Sequence, residues 1–316
     1  MSASADQTVI ALGVHVLDTL VRPVETIPDG QGAQLVEEIK MTAAGTAGGT
    51  ALVLAKLGAT VRSAGAIGTD AIGDQLLTLL ARDGVDTTLL VRRDGVQTSA
   101  SVLPIRPDGS RPAFHVVGAN LAYGPDDAPW DAIAAATHLH LGGPEFMGGE
   151  AAAKILSFAK EHGVTTSADS LAQGDPGVLA WIAPAFKHLD YLLPNDEQVL
   201  GWTGATDLVT GARALLDHGV GCVAVTAGAD GAVVVTADGA EAVPAFEIEV
   251  VDTTGCGDAF SAGFLRGLAL GTSAPDAAVL GCATAALVAG GLGSDYGDFD
   301  LAAAQAFAAS TPTLAR

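Results

Sequence analysis

Basic residues are scarce in this chain: 15 Lys and Arg stand against 36 Asp and Glu, a formal net charge of −21 over 316 residues. Such a field repels phosphate backbones and anionic lipid surfaces, so neither nucleic acid nor membrane is expected as a partner. Cysteine is also scarce. Cys222, Cys256 and Cys282 are odd in number and lack C-x-x-C spacing, which excludes a disulfide framework and a zinc site. Aromatic residues make up only 5% of the chain while glycine alone counts 40, so the core must rely on close packing of small side chains. No G-x-x-x-x-G-K-[ST] and no G-x-S-x-G occurs, which sets aside a P-loop NTPase and an elbow-type serine hydrolase. The Gly45–Gly49 stretch lacks the G-x-G-x-x-G spacing of a dinucleotide fold. Between Asp276 and Asp295 no charge occurs, but the stretch is mostly Ala and Gly and reads as a buried helix. The apolar segment Val9–Val21 contains His15 and Asp18 and reads as a strand rather than a leader; a cytoplasmic protein is expected.

What is present is a regular alternation from about residue 130 onward. Strand-length runs at Thr137–Leu141, Val164–Ala168, Tyr191–Leu193 and Val220–Val225 alternate with helical stretches at Gly149–His162, Asp196–Trp202 and Asp207–His218. This predicts parallel βαβ units: an α/β, doubly wound, mostly parallel sheet flanked by helices on both faces. Ligands bind beyond the carboxyl ends of such strands, and Gly142-Gly143, Asp169, Asn195 and Thr226-Ala227-Gly228 all fall there. The first third differs. Val9–Leu20, Leu35–Met41 and Thr98–Ile105 read as strands, and Arg106–Arg111 is a turn sequence leading to a further strand at Ala113–Val117. These strands, from about 13–42 and 97–120, form a small β-sheet lid inserted into a single domain spanning 1–316, with helices at Thr50–Leu57 and Ile72–Asp83 in the main layer.

The most informative segment runs Asp252-Thr253-Thr254-Gly255-Cys256-Gly257-Asp258-Ala259-Phe260, between a strand-like run at Phe246–Val251 and a helix from Ala259 to about Leu268. Gly255 and Gly257 let the backbone bring its amides close to a ligand, at a helix N-terminus that favours negative charge. Asp258 lies in the same turn. Phosphoryl transfer needs both parts, amides for the transferring charge and a carboxylate for the proton of the attacking hydroxyl. Helix capping is the other role open to Asp258 on local chemistry.

The segment resembles the carboxyl-terminal signature of the ribokinase-like, or PfkB, carbohydrate kinases, typically D-T-x-G-A-G-D. The likeness covers nearly the whole chain: Gly65–Gly73 resembles G-x-x-G-x-D-x-x-G, Gly118-Ala119-Asn120 matches G-A-N, Pro194-Asn195 matches P-N, and Thr226–Gly231 matches T-x-G-x-x-G. The resemblance implies an ATP-dependent carbohydrate kinase with Asp258 as base and the amides of Gly255, Cys256 and Gly257 as anion hole. It implies Asn195, Thr226, Gly228 and Gly231 near the nucleotide phosphates and Cys282 beside the adenine. It further implies a monovalent cation, commonly potassium, at Asp252, Thr254 and Gly293, and magnesium associated with the Asn195–Gln198 segment. Asp18, Gly45, Gly49, Gly143 and Asn120 are the substrate-side candidates, beneath a lid through which family members often form homodimers.

Four positions depart from the pattern. The Gly-rich substrate loop ends in Gly49 where the family has Asn, Thr46 stands where ribokinase has Lys, and Gly142 or Gly143 replaces a Glu. In N-x-x-E the acid has become Gln198, so either Glu197 substitutes by a small shift or the magnesium response is altered. The first three changes remove polar partners, so a roomier pocket is expected, or one completed from the lid by Arg106, Arg111 or His115. Without the Lys, an uncharged substrate is expected before a phosphosugar. A nucleoside kinase of the same family would need Phe114 or Tyr123 against the base; a sugar or nucleotide sensor that has lost turnover is the reading from another class. Cys256, where Ala is usual, reads as a packed apolar side chain, although a helix N-terminus would lower a thiol's pKa. His138 and His140 share a strand face and read as packing rather than metal ligands.

Overall fold

The computed structural model describes residues 6–107 and 110–315. Its strands are β1 (Thr8–Gly13), β2 (Val16–Arg22), β3 (Glu38–Ala44), β4 (Thr60–Gly68), β5 (Asp86–Arg93), β6 (Ala100–Pro104), β7 (Phe114–Val116), β8 (His138–Gly142), β9 (Thr165–Asp169), β10 (Tyr191–Leu192), β11 (Cys222–Thr226), β12 (Ala232–Thr236) and β13 (Gly239–Val243). Nine of them form one sheet in the order β13-β12-β11-β10-β9-β8-β1-β4-β5, antiparallel only where β12 and β13 join one edge. Alternate residues of β1 serve two cores. Val9 and Ala11 pack with Leu52, Leu76, Phe260 and Phe264 on one face, whereas Ile10 and Leu12 pack with Ile155, Leu156, Phe186 and Trp202 on the other. A strand buried on both faces is the mark of a doubly wound sheet.

The abundance of Ala and Gly has a packing reason. Helices Cys256–Ala269 and Ala274–Ala289 lie in intimate contact. A Cβ at Gly263 would come within 2.6 Å of Thr284 Oγ1, and one at Gly281 within 2.8 Å of the Phe260 ring. Among the described residues no helix is long and apolar enough to cross a membrane.

The second sheet has the order β3-β2-β6-β7. Register pairs Asp18 with Thr42 and Ser101, and Ser101 with His115, so these four form one row; Thr19, Met41, Val102 and Phe114 form the next. Side chains in adjacent rows point to opposite faces. The polar row carries Asp18 against the large sheet, and Met41, Val102 and Phe114 are exposed on the other side.

Three expectations change. The run Val9–Leu20 is two strands in different sheets, because the chain leaves the large sheet at Gly13 and enters the small one at Val16. The first third also supplies β4 and β5 to the large sheet, which the sequence pattern did not reveal. Phe246–Val251 is not a strand: only Phe246 pairs, in an isolated bridge with Thr313, and Phe246, Ile248 and Val250 line a cavity instead of meeting a sheet neighbour. In the turn Arg106–Arg111, Asp108 and Gly109 lie outside the described residues.

Candidate active site

At β1 the connections reverse direction, with β8 on one side and β4 on the other. Ligands of open α/β sheets bind at such a switch point. Gly13, Gly142 and Asp169 stand in register at the carboxyl ends of β1, β8 and β9. A cleft of about 250 Å³ opens there, lined by Asp18 and Arg111 from the lid side, Thr46, Asp169, Asn195, Gln198, Thr226, Gly255, Gly257, Asp258 and Ser294. A second cavity of about 420 Å³ adjoins it and shares Thr226, Thr253 and Gly257. Its walls are Phe246, Ile248, Val250, Phe260, Cys282, Ala285 and Ala286, with Gly228 and Gly231 on its rim. One chamber is polar and acidic, the other mostly apolar. The loop 253–257 separates them.

That loop takes its shape from Gly255. Its φ is +79°, and a Cβ there would lie 2.3 Å from Ser294 Oγ, so only glycine fits. The helix Cys256–Ala269 starts immediately after it, with Asp258 in its first turn. Cys256 N is held by Thr253 O at 3.2 Å, which leaves the amides of Gly255 and Gly257 as the better anion donors. The Asp258 carboxylate packs on Gly49: a Cβ at Gly49 would lie 2.1 Å from Asp258 Oδ2. Burial, then the negative charges of Asp169 and Asp18, raise the proton affinity of Asp258 well above the usual carboxylate range, against the pull of Arg111. Burial likewise pushes the Asp18 carboxyl up to about 6, opposed by its hydrogen bond to Ser101.

Asp252 is buried and accepts hydrogen bonds from Thr254 N (3.0 Å), Thr254 Oγ1 (2.8 Å) and Gly293 N (3.1 Å). The three residues expected at a monovalent cation are therefore contiguous. Lys40 and Lys56 secure the loop that carries Gly293 through Leu292 O, Asp295 O and Gly297 O. Arg111 reaches across the cleft from the lid and donates to Thr253 Oγ1 at 3.2 Å.

Other candidates are placed differently. Asn120 is a backbone clamp: its side chain bonds both N and O of His15 at 3.1 Å, away from the cleft. Gly49 and Gly143 do not open the pocket. Asp258 fills the space beside Gly49, while a Cβ at Gly143 would meet Val14 at 2.5 Å and one at Gly142 would meet Ala47 N at 2.4 Å. The room expected beside these glycines is occupied, by Asp258 at Gly49, by the Val14 and Phe146 side chains at Gly143 and by backbone at Gly142. Gln198 is committed to structure, receiving Asn195 N and donating to Ser170 O (2.8 Å) and Ala172 O (2.9 Å). Glu197 is exposed and outside the cleft wall. Among the described residues no group of three or more His, Cys, Asp or Glu could hold a metal.

Of Arg106, Arg111 and His115, the lid residues expected to complete the pocket, Arg111 lines the cleft. Arg106 bonds Ser110, and His115 bonds Ser101 in the row that carries Asp18. Phe114 faces outward and Tyr123 is buried with its hydroxyl toward Asp127 O, so neither could stack on a base. The Cys256 thiol is pushed up to about 12, chiefly by burial, which outweighs the helix N-terminus and agrees with a packed side chain. Two cleft residues were not expected at the site. Thr46 Oγ1 and Ser294 Oγ are buried without partners among the described residues; Thr46 was noted only as a missing Lys, and nothing in the sequence marked Ser294.

Comparison with known proteins bears on this arrangement. The pfkB family carbohydrate kinase model matches residues 9–298. An ATP-dependent ribose-1-phosphate kinase from Halopiger xanaduensis is 30% identical over 254 residues, 79% of this chain and 81% of its own. A nucleoside kinase from Methanothermobacter thermautotrophicus is 26% identical, covering 83% of each chain. The structure of Arabidopsis thaliana ribokinase complexed with ribose and ATP superposes with a TM-score of 0.80 at 22% identity, over 96% of this chain and 98% of that one.

Proposed function

The chain belongs to the pfkB family of carbohydrate kinases, and from that premise we propose that it transfers the γ-phosphate of ATP to a hydroxyl of an uncharged sugar or sugar-like molecule, with Asp258 as general base. The observation that carries this reading is the position of Asp258. It stands on the wall of the acidic cleft, one residue from a glycine amide that also faces the apolar cavity. The adenine occupies the cavity lined by Phe246, Phe260 and Cys282, and the phosphates run past Thr226 and Gly228 toward Gly255 and Gly257. Asp258 takes the proton of the acceptor hydroxyl. The hydroxyl oxygen forms a bond to the γ-phosphorus, the bond from that phosphorus to the β,γ-bridging oxygen breaks, and ADP departs. The amides of Gly255 and Gly257 meet the charge that develops on the phosphoryl oxygens.

The acceptor is uncharged because the cleft holds three carboxylates, Asp18, Asp169 and Asp258, against one guanidinium, Arg111. An anionic group would face like charge at short range. Magnesium accompanies the nucleotide and neutralises phosphate charge. Asn195 on the cleft wall would help hold it, since the Gln198 amide is committed to Ser170 O and Ala172 O. Asp252, Thr254 and Gly293 would hold a potassium ion; the buried Asp252 carboxylate, which has no basic partner within ion-pair distance among the described residues, fits a cation there. The exposed apolar row of the lid, Met41, Val102 and Phe114, is the surface through which two copies pair.

ATP consumption with magnesium and potassium, measured across pentoses, hexoses, polyols, nucleosides and sugar phosphates, tests this reading. Turnover on an uncharged sugar, lost in Asp258→Asn with nucleotide binding retained, is the expected result. Turnover confined to sugar phosphates would overturn the acceptor assignment.

A further inference from the structure

Behind Asp258 lies a chain of buried polar groups that the phosphoryl transfer itself does not use. His138 Nε2 is 2.8 Å from Ser167 Oγ, which is 2.9 Å from His140 Nδ1. His140 Nε2 faces Asp169 Oδ1 at 3.6 Å, and those two atoms have no other partner among the described residues. Asp169 Oδ2 accepts from Ser261 Oγ at 3.4 Å, and Ser261 lies one helical turn beyond Asp258 on the same face. All these residues are buried.

Proton counting gives the chain a direction. Ser167 has one hydroxyl proton and two imidazole neighbours, so it donates to one and accepts from the other. If His140 carries its proton on Nε2, that N–H faces Asp169 Oδ1, its Nδ1 accepts from Ser167, and Ser167 accepts from His138 Nε2–H. Ser167 is then satisfied on both sides, and the His140 Nε2–H points toward Asp169 Oδ1 across 3.6 Å, longer than a hydrogen bond. Burial, which lowers His138 to about 3, keeps that ring neutral. The other tautomer leaves Asp169 Oδ1 facing a lone pair.

We propose that Asp169, which lines the same cleft as Asp258 and is faced from behind by His140 Nε2, is a positioning residue that strengthens Asp258 as the base by placing a second carboxylate beside it. The proposal rests on Asp258 acting as base in a kinase. Two nearby carboxylates resist ionising together, so the one nearer the acceptor grips a proton more tightly. The charged and titratable groups facing Asp258 are Asp169 from β9, Asp18 from β2, Arg111 from the lid and Cys256 in its own turn. Those facing Asp169 are His140 from β8, Asp258 from the helix and Glu145 from the segment after β8. Arg111 opposes the effect and Asp18 shares in it. Asp169 is distinct in having a buried imidazole, His140, behind it on the side away from the cleft.

The test is the pH profile of kcat/KM. In Asp169→Asn, which conserves volume, the acidic limb should move down by about one pH unit, and kcat on the plateau should fall several-fold because the base is weaker. His140→Phe leaves Asp169 without the N–H that faces it and should shift the limb the same way, whereas His140→Gln, whose Nε2 can reach Asp169, should restore the wild-type profile. An unmoved limb in a folded Asp169→Asn enzyme overturns the proposal. Identical profiles for His140→Phe and His140→Gln do so as well, and that pair carries the test if the Asn variant does not fold. Failure of the kinase reading looks different: either no acceptor supports turnover by the wild type, or Asp258→Asn turns over normally.

Discussion

Asp18 sits on the inner row of the lid with its carboxyl raised to about 6 by burial. An unfolded Asp titrates near 3.9, so the folded state binds this proton more tightly than the unfolded one. The associated stability is present below about pH 4 and is lost as pH rises through about 6. Asp18→Asn should therefore be more stable than wild type at pH 7, by on the order of 2 kcal/mol, with the gain gone at pH 4. Urea unfolding at the two pH values checks this, and an equal gain at both would show that the charge is not responsible. Gly49 makes the complementary case. It lies in a helix with ordinary backbone angles, where Ala is the better residue by about 1 kcal/mol. Its Cβ would nevertheless displace Asp258. Gly49→Ala should keep or raise the melting temperature while kcat drops at least about tenfold, since a misplaced base loses its alignment. Unchanged kcat would mean that Asp258 adjusts freely.

At the scale of elements, two caps hold the cleft together. Asp70 accepts Gly73 N and Thr98 Oγ1 on one oxygen and Thr98 N on the other, tying the helix Ala71–Arg82 to the base of the lid. The helix Asp196–Thr203 starts with a reciprocal box between Asn195 and Gln198, and the Gln198 amide also donates to two carbonyls of the segment after β9. A glutamate at 198 cannot donate when ionised. Gln198→Glu would set a buried carboxylate against two carbonyl oxygens and should cost about 2 kcal/mol or more. Denaturant unfolding measures that loss, and a gain in stability would refute the structural role. The lid sheet is the third such element. Its register puts Met41, Val102 and Phe114 in one exposed row, an apolar face that a second copy can cover. Val102→Lys together with Phe114→Glu should convert a dimer to a monomer in sedimentation velocity; an unchanged dimer would place the interface elsewhere.

Over the whole molecule, periodicity carried the reading where each strand was followed by its helix. From β8 to β11 the expected strands and helices lie within two residues of where the sequence put them, although the helix Pro176–Ile182 between β9 and β10 was missed. The same reasoning failed in the first third, since β1 to β5 alternate between two sheets and the local pattern does not say which sheet a strand joins. It failed again at Phe246–Val251, where alternation of apolar residues marks the wall of a cavity and not a sheet face. The turn Asp252–Asp258 was legible because its chemistry is local: glycines for a tight loop, an Asp, and a helix N-terminus. The identity of Asp18 as a buried acid was legible as a residue but not as a charge, for its proton affinity depends on the lid closing over it. Single-residue absences misled. A missing Asn at 49 and a missing Glu near 143 look like empty space in a string of letters, yet the structure fills the first place with Asp258 and the second with Val14 and Phe146. What the sequence determined by itself was the fold class, the family and the glycine loop that leads into Asp258, all properties of contiguous segments. What only the tertiary structure decided was the company each group keeps: Asp258 against Gly49, Ser294 against Gly255, and His140 behind Asp169. Those pairings join residues far apart in the chain, and both burial and charge act through space.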